Sequence, residues 1–164
     1  MFTDYVQNPL VFSETIWHSA DAVFVRSDSG ECFSNSRELE GLTLGCIRGY
    51  RYGPLDPALE SGAIERNAVA RHEQLYKLLL SSRVDAIVEN IHVLPFHIHE
   101  SGQDISLFRK CSPHLYEFEL AIMVHESKQT FLKDLNAFIR ESHENGLLES
   151  ISLEWLGQAQ PMWD

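Results

Sequence analysis

The sequence predicts an α/β fold with a largely parallel sheet. Strand-like and helix-like apolar patterns alternate along the chain, and strand–helix–strand units follow one another through its middle. The 164 residues, 44% of them apolar, suffice for one proper core, or one α/β lobe with attached pieces of another, and no autonomous second domain is expected.

Taken in order, residues 21–26 (Asp-Ala-Val-Phe-Val-Arg) read as a strand that the cluster Ser27-Asp28-Ser29-Gly30 ends. Ser36 is the expected cap of a short helix over residues 37–40. Residues 42–47 read as a buried strand running into the Gly-bounded turn Arg48-Gly49-Tyr50-Arg51-Tyr52-Gly53. Asp56-Pro57 has the form of an N-cap followed by proline at the first helical position, and Gly62 ends that helix. Residues 72–81 place Leu75, Leu78 and Leu79 on one helical face, and residues 84–88 follow as a strand.

A short helix is expected within residues 91–98, kinked at Pro95 or with Pro95 in its first turn. Residues 115–124 alternate as one long strand. Ser127 is the expected cap of the strongest helix, with Phe131, Leu132, Leu135, Phe138 and Ile139 on one stripe and Gly146 as its stop. An amphipathic segment over residues 148–156 closes the fold.

The formal net charge of -11, from 13 basic against 24 acidic residues, repels phosphate backbones and argues against nucleic acid as a partner. No apolar run approaches the length that spans a bilayer, so the protein is not expected to be membrane-embedded. The first residues, Met1-Phe2-Thr3-Asp4-Tyr5, lack the basic start and apolar core of a secretion signal. Three cysteines, Cys32, Cys46 and Cys111, show no CxxC spacing. Cys46 falls in an apolar strand pattern and is assigned to the core; one disulfide with the third thiol free is compatible with an oxidising compartment.

Three segments, in this order and spacing, resemble the bacterial extracellular solute-binding proteins of family 3, the amino-acid type that feeds ABC importers. The first is Leu39-Glu40-Gly41-Leu42-Thr43-Leu44-Gly45-Cys46-Ile47-Arg48-Gly49-Tyr50-Arg51-Tyr52-Gly53, similar to the family's lead-in to its second lobe. The second is Arg83-Val84-Asp85-Ala86-Ile87-Val88-Glu89-Asn90, and the third runs from Leu132 through Gly146 to Trp155, similar to the family's closing pair of helices.

The resemblance implies a periplasmic-binding-protein-like fold of type II, with a mostly parallel sheet flanked by helices and an incomplete first lobe. Two crossover strands, residues 22–26 and 120–125, would join the lobes. Residues 1–26 are then a remnant of lobe one with the first crossover, 27–114 lobe two, and 115–164 the second crossover with the C-terminal helices of lobe one. The carboxylate-gripping arginine that the family carries in its first lobe has no counterpart before Arg26.

For function, the resemblance implies a non-catalytic, periplasmic binding protein for a small polar or anionic solute such as an amino acid. It would deliver to an ABC permease complex when full-length, and no cofactor is expected.

The candidate ligand-binding residues are Gly49, Tyr50, Arg51, Glu89 and Asn90. A Gly-bounded turn leading into a helix start aims backbone N–H groups at one spot, which favours an anion, and Arg51 offers a bidentate clamp. The alternative is that Arg51 is a surface residue and that Tyr50 and Tyr52 pack on the lobe. Asn90 stands where the family places its ammonium-binding aspartate, so either Glu89 substitutes or the ligand is not a zwitterion. Asp85 is assigned to the structure, holding backbone donors near the strand start.

His92, His97 and His99 form a cluster of metal-ligating type, yet residues two apart on a helix point away from each other, so no metal site is assigned. No G-x-S-x-G elbow, Walker loop or HExxH occurs, which leaves no enzymatic signature. The competing expectation is a fragment or stand-alone interaction module without its own ligand, including a homodimer formed by exchange of the tail, because the stripe on the helix over residues 128–142 lacks a partner.

Overall fold

The computed structural model describes residues 9–156. The strands are β1 (Leu10–Phe12), β2 (Trp17–Arg26), β3 (Thr43–Ile47), β4 (Glu65–Val69), β5 (Ala86–Asn90), β6 (Phe108–Lys110), β7 (Tyr116–Leu120) and β8 (Met123–His125). The helices are α1 (Asp56–Ser61), α2 (His72–Leu80), α3 (Val93–Glu100), α4 (Gln129–Glu144) and α5 (Leu147–Leu156). Two compact units result, one of residues 19–117 and one of residues 9–18 together with residues 118–156.

In the larger unit the sheet order is β4-β3-β5-β2-β6, and β7 also pairs with β2. β3 runs parallel to both β4 and β5, while β2 runs antiparallel to β5 and to β6. Four of these five strands therefore point the same way, with β2 alone reversed. β3 and β5 are buried along almost their whole length, as parallel strands covered by helices on both faces must be. Alternate side chains serve the two faces. Leu44, Cys46, Ala86 and Val88 join Leu39, Leu55, Leu59 and Ile64 in one core, which Tyr52 also enters. Ile87 lies in the opposite layer, where α2 buries Leu75, Tyr76 and Leu79 and α3 buries Leu94 and Ile98.

Gly45 sets how closely α2 lies on the sheet. A Cβ there would meet Ile87 Cγ2 and Leu75 Cδ1 at 2.9 Å and Val84 Cγ2 at 3.2 Å. Asp85 ties the strand starts together as expected, its Oδ2 accepting the Thr43 N–H at 2.8 Å. Cys32 and Cys111 form a disulfide that spans 79 residues, and Cys46 is free and buried. In the chain-entropy account a loop of that length stabilises the fold by about 4 kcal/mol.

Several local expectations are corrected. The short turn over Arg37–Leu39 is 3₁₀, and Ser36 stands at its N-cap position without a side-chain cap bond; Asn35 Oδ1 accepts the Glu38 N–H at 3.2 Å instead, and Glu38 accepts the Ser34 N–H at 2.7 Å. Asp56 is the first residue of α1, not its cap, and Gly62 ends the helix in the left-handed region. The long strand expected over residues 115–124 is two strands, β7 and β8, with different partners, β2 and β1. β4 and β6 are strands that the sequence pattern does not predict.

In the smaller unit β1 and β8 form an antiparallel two-stranded ladder. α4 is fixed to the segment after β1: Asn136 Oδ1 accepts the Glu14 N–H at 2.9 Å, Arg140 pairs with the Glu14 carboxylate, and His143 Nε2 lies 3.1 Å from the Thr15 carbonyl. Ser127 does not cap α4 through its side chain; its N–H is accepted by His125 Nδ1 in the 3₁₀ turn that precedes the helix. The expected stripe divides. Ile139 is buried and Leu132 and Leu135 are half-buried, while Phe131 and Phe138, one heptad apart, stay 56% and 57% exposed.

Gly45→Ala is expected to cost about 1–3 kcal/mol, because the added methyl must push α2 off β3 in a close-packed layer. Chemical denaturation measures it. An unchanged midpoint and slope would show that the contact is not tight.

Candidate functional site

Because β3, β4 and β5 are parallel, their C-terminal ends open on one edge of the sheet, the place where open α/β sheets offer groups to ligands. Three connections leave that edge: Arg48 to Tyr52 after β3, Ala70 and Arg71 before α2, and Ile91 and His92 before α3.

Gly49 has φ +84°, with nothing within 4 Å of where a Cβ would lie. The Tyr50 N–H returns to the Ile47 carbonyl at 3.2 Å and the Tyr52 N–H goes to Asp56 Oδ1 at 2.9 Å. The fan of free donors expected at this turn is thus thinned, and among the described residues the Gly49 N–H is one that has no acceptor.

Tyr50 is 52% exposed and its carbonyl accepts from Arg66 Nη2 at 2.9 Å. Tyr52 is buried, its hydroxyl accepting the Ile47 N–H at 2.6 Å, and burial pushes its phenol well above the ordinary range. The two tyrosines therefore part company: Tyr52 packs in the lobe and Tyr50 faces outward. Arg51 is turned to α1, 3.0 Å from Glu60 and 3.9 Å from Asp56, rather than toward the strand ends.

Glu89 keeps only 7% of its side-chain surface. Its Oε2 lies 2.6 Å from His72 Nδ1 and its Oε1 accepts the Asn90 N–H at 3.1 Å. Burial raises its carboxyl above the ordinary carboxylate range, against the lowering influence of His72. The buried Tyr76 hydroxyl is pushed upward by burial and then by the nearby Glu89.

His97 stacks on His72 with ring centroids 4.8 Å apart, and the Tyr50 ring meets His72 edge-on at 6.1 Å. Of the expected residues, Tyr50 and Glu89 are thus brought to one imidazole. Sequence reading missed that imidazole: His72 follows β4, and with β4 unread nothing marked it as lying at a strand end.

Asn90 is committed within the protein. Its Nδ2 donates to Ser19 Oγ at 2.8 Å and Asp21 Oδ1 at 3.2 Å, and its Oδ1 accepts the His92 N–H at 3.0 Å. Tyr116 donates to the other oxygen of Asp21 at 2.6 Å. Asn90 therefore fastens β5 to β2 instead of offering its amide to solvent.

The histidine cluster disperses. α3 carries His97 to His72, while His99 has 88% of its side-chain surface exposed. His92 is turned inward with neither ring nitrogen hydrogen-bonded. Among the described residues no group of three His, Cys, Asp or Glu converges on a point that would hold a metal.

Burial, and then the charge of Lys110, holds the His92 imidazole below the ordinary histidine range. The unfolded chain therefore binds this proton at pH values where the folded protein does not. Stability is present above the unfolded value of about 6.5 and is lost as pH falls from there toward the depressed folded value. His92→Leu is expected to flatten the fall in thermal midpoint between about pH 7 and about pH 5. Parallel profiles for the two proteins in thermal melts across this range would refute the assignment.

No family profile matches the chain, and no curated protein matches its sequence. Solved structures do match in fold. A mutant of ArgBP from T. maritima is 17% identical with a TM-score of 0.71, over 91% of this chain and 62% of its own. The GluR0 ligand-binding core from Nostoc punctiforme, solved with L-glutamate, is 22% identical with a TM-score of 0.70, over 94% and 68%. The second substrate-binding domain of a putative amino acid ABC transporter from Streptococcus pneumoniae is 19% identical with a TM-score of 0.64, over 90% and 65%. The chain thus spans about two thirds of the length of these proteins. Its α/β architecture is that of type II periplasmic-binding-protein domains, the fold of the solute-binding family whose motifs the sequence resembles.

Proposed function

We propose that the chain is the solute-recognising part of a non-catalytic binding protein for import, with residues 27–114, which fall within the larger compact unit, serving as lobe two. The observation that carries this reading is the convergence of an open Gly49 N–H, an exposed Tyr50 and a His72 oriented by Glu89 at the C-terminal edge of three parallel strands. Neighbours of the same fold bind arginine and glutamate, which supports a small polar or anionic solute, such as an amino acid, as the ligand class. The Cys32–Cys111 disulfide supports an oxidising compartment, hence the periplasm, and an ABC permease is the partner this role requires. Among the described residues no helix is long and apolar enough to cross a membrane.

Calorimetric titration of the 164-residue chain, and of the product of the whole reading frame, against amino acids and organic acids tests the proposal. One-site binding in the micromolar range is expected, weakened about tenfold by Tyr50→Ala, equivalent to about 1.4 kcal/mol. Absence of saturable binding by a folded two-lobe form defeats it.

A second reading rests on the smaller unit. Phe12, Met123, Phe131, Phe138, Leu153 and Trp155 are all exposed there, beside a ladder of only two strands. A two-stranded ladder is marginal alone, and an apolar face of this kind marks an association surface. In this reading the chain is an interaction module that pairs with a second copy through its tail. Light scattering is then expected to show a concentration-dependent dimer that Phe131→Glu with Phe138→Glu dissolves, whereas a monomer at all concentrations rules it out.

A further inference from the structure

Glu89 is an acid buried in a strand otherwise given over to the core, and it bonds to a histidine rather than to a ligand. Fixing Nδ1 of His72 on this carboxylate leaves Nε2 as the working nitrogen. Among the described residues Nε2 has no hydrogen-bond partner, and the side chain keeps 21% of its surface. The imidazole is also held in orientation by His97 stacked against it and by the edge contact with Tyr50. A carboxylate that orients an imidazole from behind makes the outer nitrogen a better base and neutralises the imidazolium once formed.

We propose that His72 Nε2, backed by Glu89, receives a carboxylate of the bound solute and takes up one proton from solvent in doing so. This rests on reading the strand edge as the solute site, and it names both the group recognised and the regulation of that recognition.

Charge decides for an anion over an ammonium. Asn90 has its amide spent on Ser19, Asp21 and the His92 N–H, and Glu89 is too buried to be offered. The Gly49 N–H is an open donor among the described residues. Arg48 and Arg71 stand in the connections leaving this edge, and the Arg66 guanidinium reaches the Tyr50 carbonyl beside them. The groups facing His72 are Glu89 from β5, His97 from α3, Tyr50 from the loop after β3 and Tyr76 from its own helix, with Arg71 and Glu73 flanking it in sequence. Asp21 of β2 acts on Glu89 from behind. Of the two stacked rings only His72 is bonded to a carboxylate.

The 164-residue chain is titrated with acetate, L-glutamate and succinate at about pH 5.5 and about pH 8, by calorimetry in buffers of different ionisation heat and by NMR of the imidazole signals. The expected result is anion binding about tenfold tighter at the lower pH, with uptake of about one proton and a perturbed His72 signal. His72→Gln is expected to lose the coupling, Glu89→Gln to reduce it, and His97→Gln to keep it. The proton count of the unaltered protein needs no variant, so a variant that fails to fold does not block the test.

Equal affinity at both pH values, or coupling that persists in His72→Gln, overturns the proposal. Binding of L-glutamate or succinate without proton uptake overturns it while leaving solute binding intact. Proton-coupled acetate binding at His72 with no saturable binding of L-glutamate or succinate keeps the clasp and removes the solute reading. No response to any anion at either pH removes both.

Discussion

Burial of β3 and β5 on both faces is the constraint on which the rest of the larger unit depends. A strand covered on both sides has no solvent face on which to carry polar side chains, so Leu44, Cys46, Ala86, Ile87 and Val88 are apolar. Gly45 is vacant of side chain because α2 occupies its place. Polar chemistry is thereby displaced to the ends of the strands. At the N-terminal edge Asp85 holds a backbone donor of β3; at the C-terminal edge lie Gly49, Tyr50, His72 and Asn90. Glu89 is the one acid inside this buried run, and a buried carboxyl is tolerable only with partners, here His72 and the Asn90 N–H.

The same constraint explains what could be read in the sequence. Two-sided burial writes continuous apolar runs, so β3 and β5 were legible, as was α2, whose Leu75 and Leu79 recur at helical spacing. β4 is an edge strand with exposed Glu65, Arg66 and Ala68 and pairs only with β3, so its sequence, Glu-Arg-Asn-Ala-Val, carries neither alternation nor a run. β6 is three residues long, too short for any period. Residues 115–124 alternate, yet periodicity cannot show that the chain changes partner between Leu120 and Met123. On α4 the spacing marked an apolar stripe but could not divide it between buried Ile139 and exposed Phe138.

Of the site, the residues adjacent in sequence to a legible strand were found and those brought in by topology were not. Gly49 and Tyr50 follow β3, and Glu89 and Asn90 end β5, so local reading reached them. His72 enters only because β4 lies in register beside β3. Tyr76 counts as a core aromatic by its spacing, and only its position next to Glu89 makes its hydroxyl part of this environment. Arg51 shows the converse: its chemistry suits a carboxylate clamp, but Glu60 and Asp56 on the following helix are reached first.

An amide at position 90 suits the same network. Asp21 stands opposite position 90 in the β2–β5 register, and its Oδ1 lies 3.2 Å from Asn90 Nδ2 while its Oδ2 accepts from Tyr116. A carboxylate at position 90 would set two anions at hydrogen-bond distance with no donor between them, in a place only partly open to water. An amide converts that repulsion into a bond and adds a second to Ser19. The acid of this strand end is Glu89, one residue inward, where the pleat turns it toward α2 and His72. An acid on the buried face is not presented to solvent itself; it orients the imidazole it is bonded to.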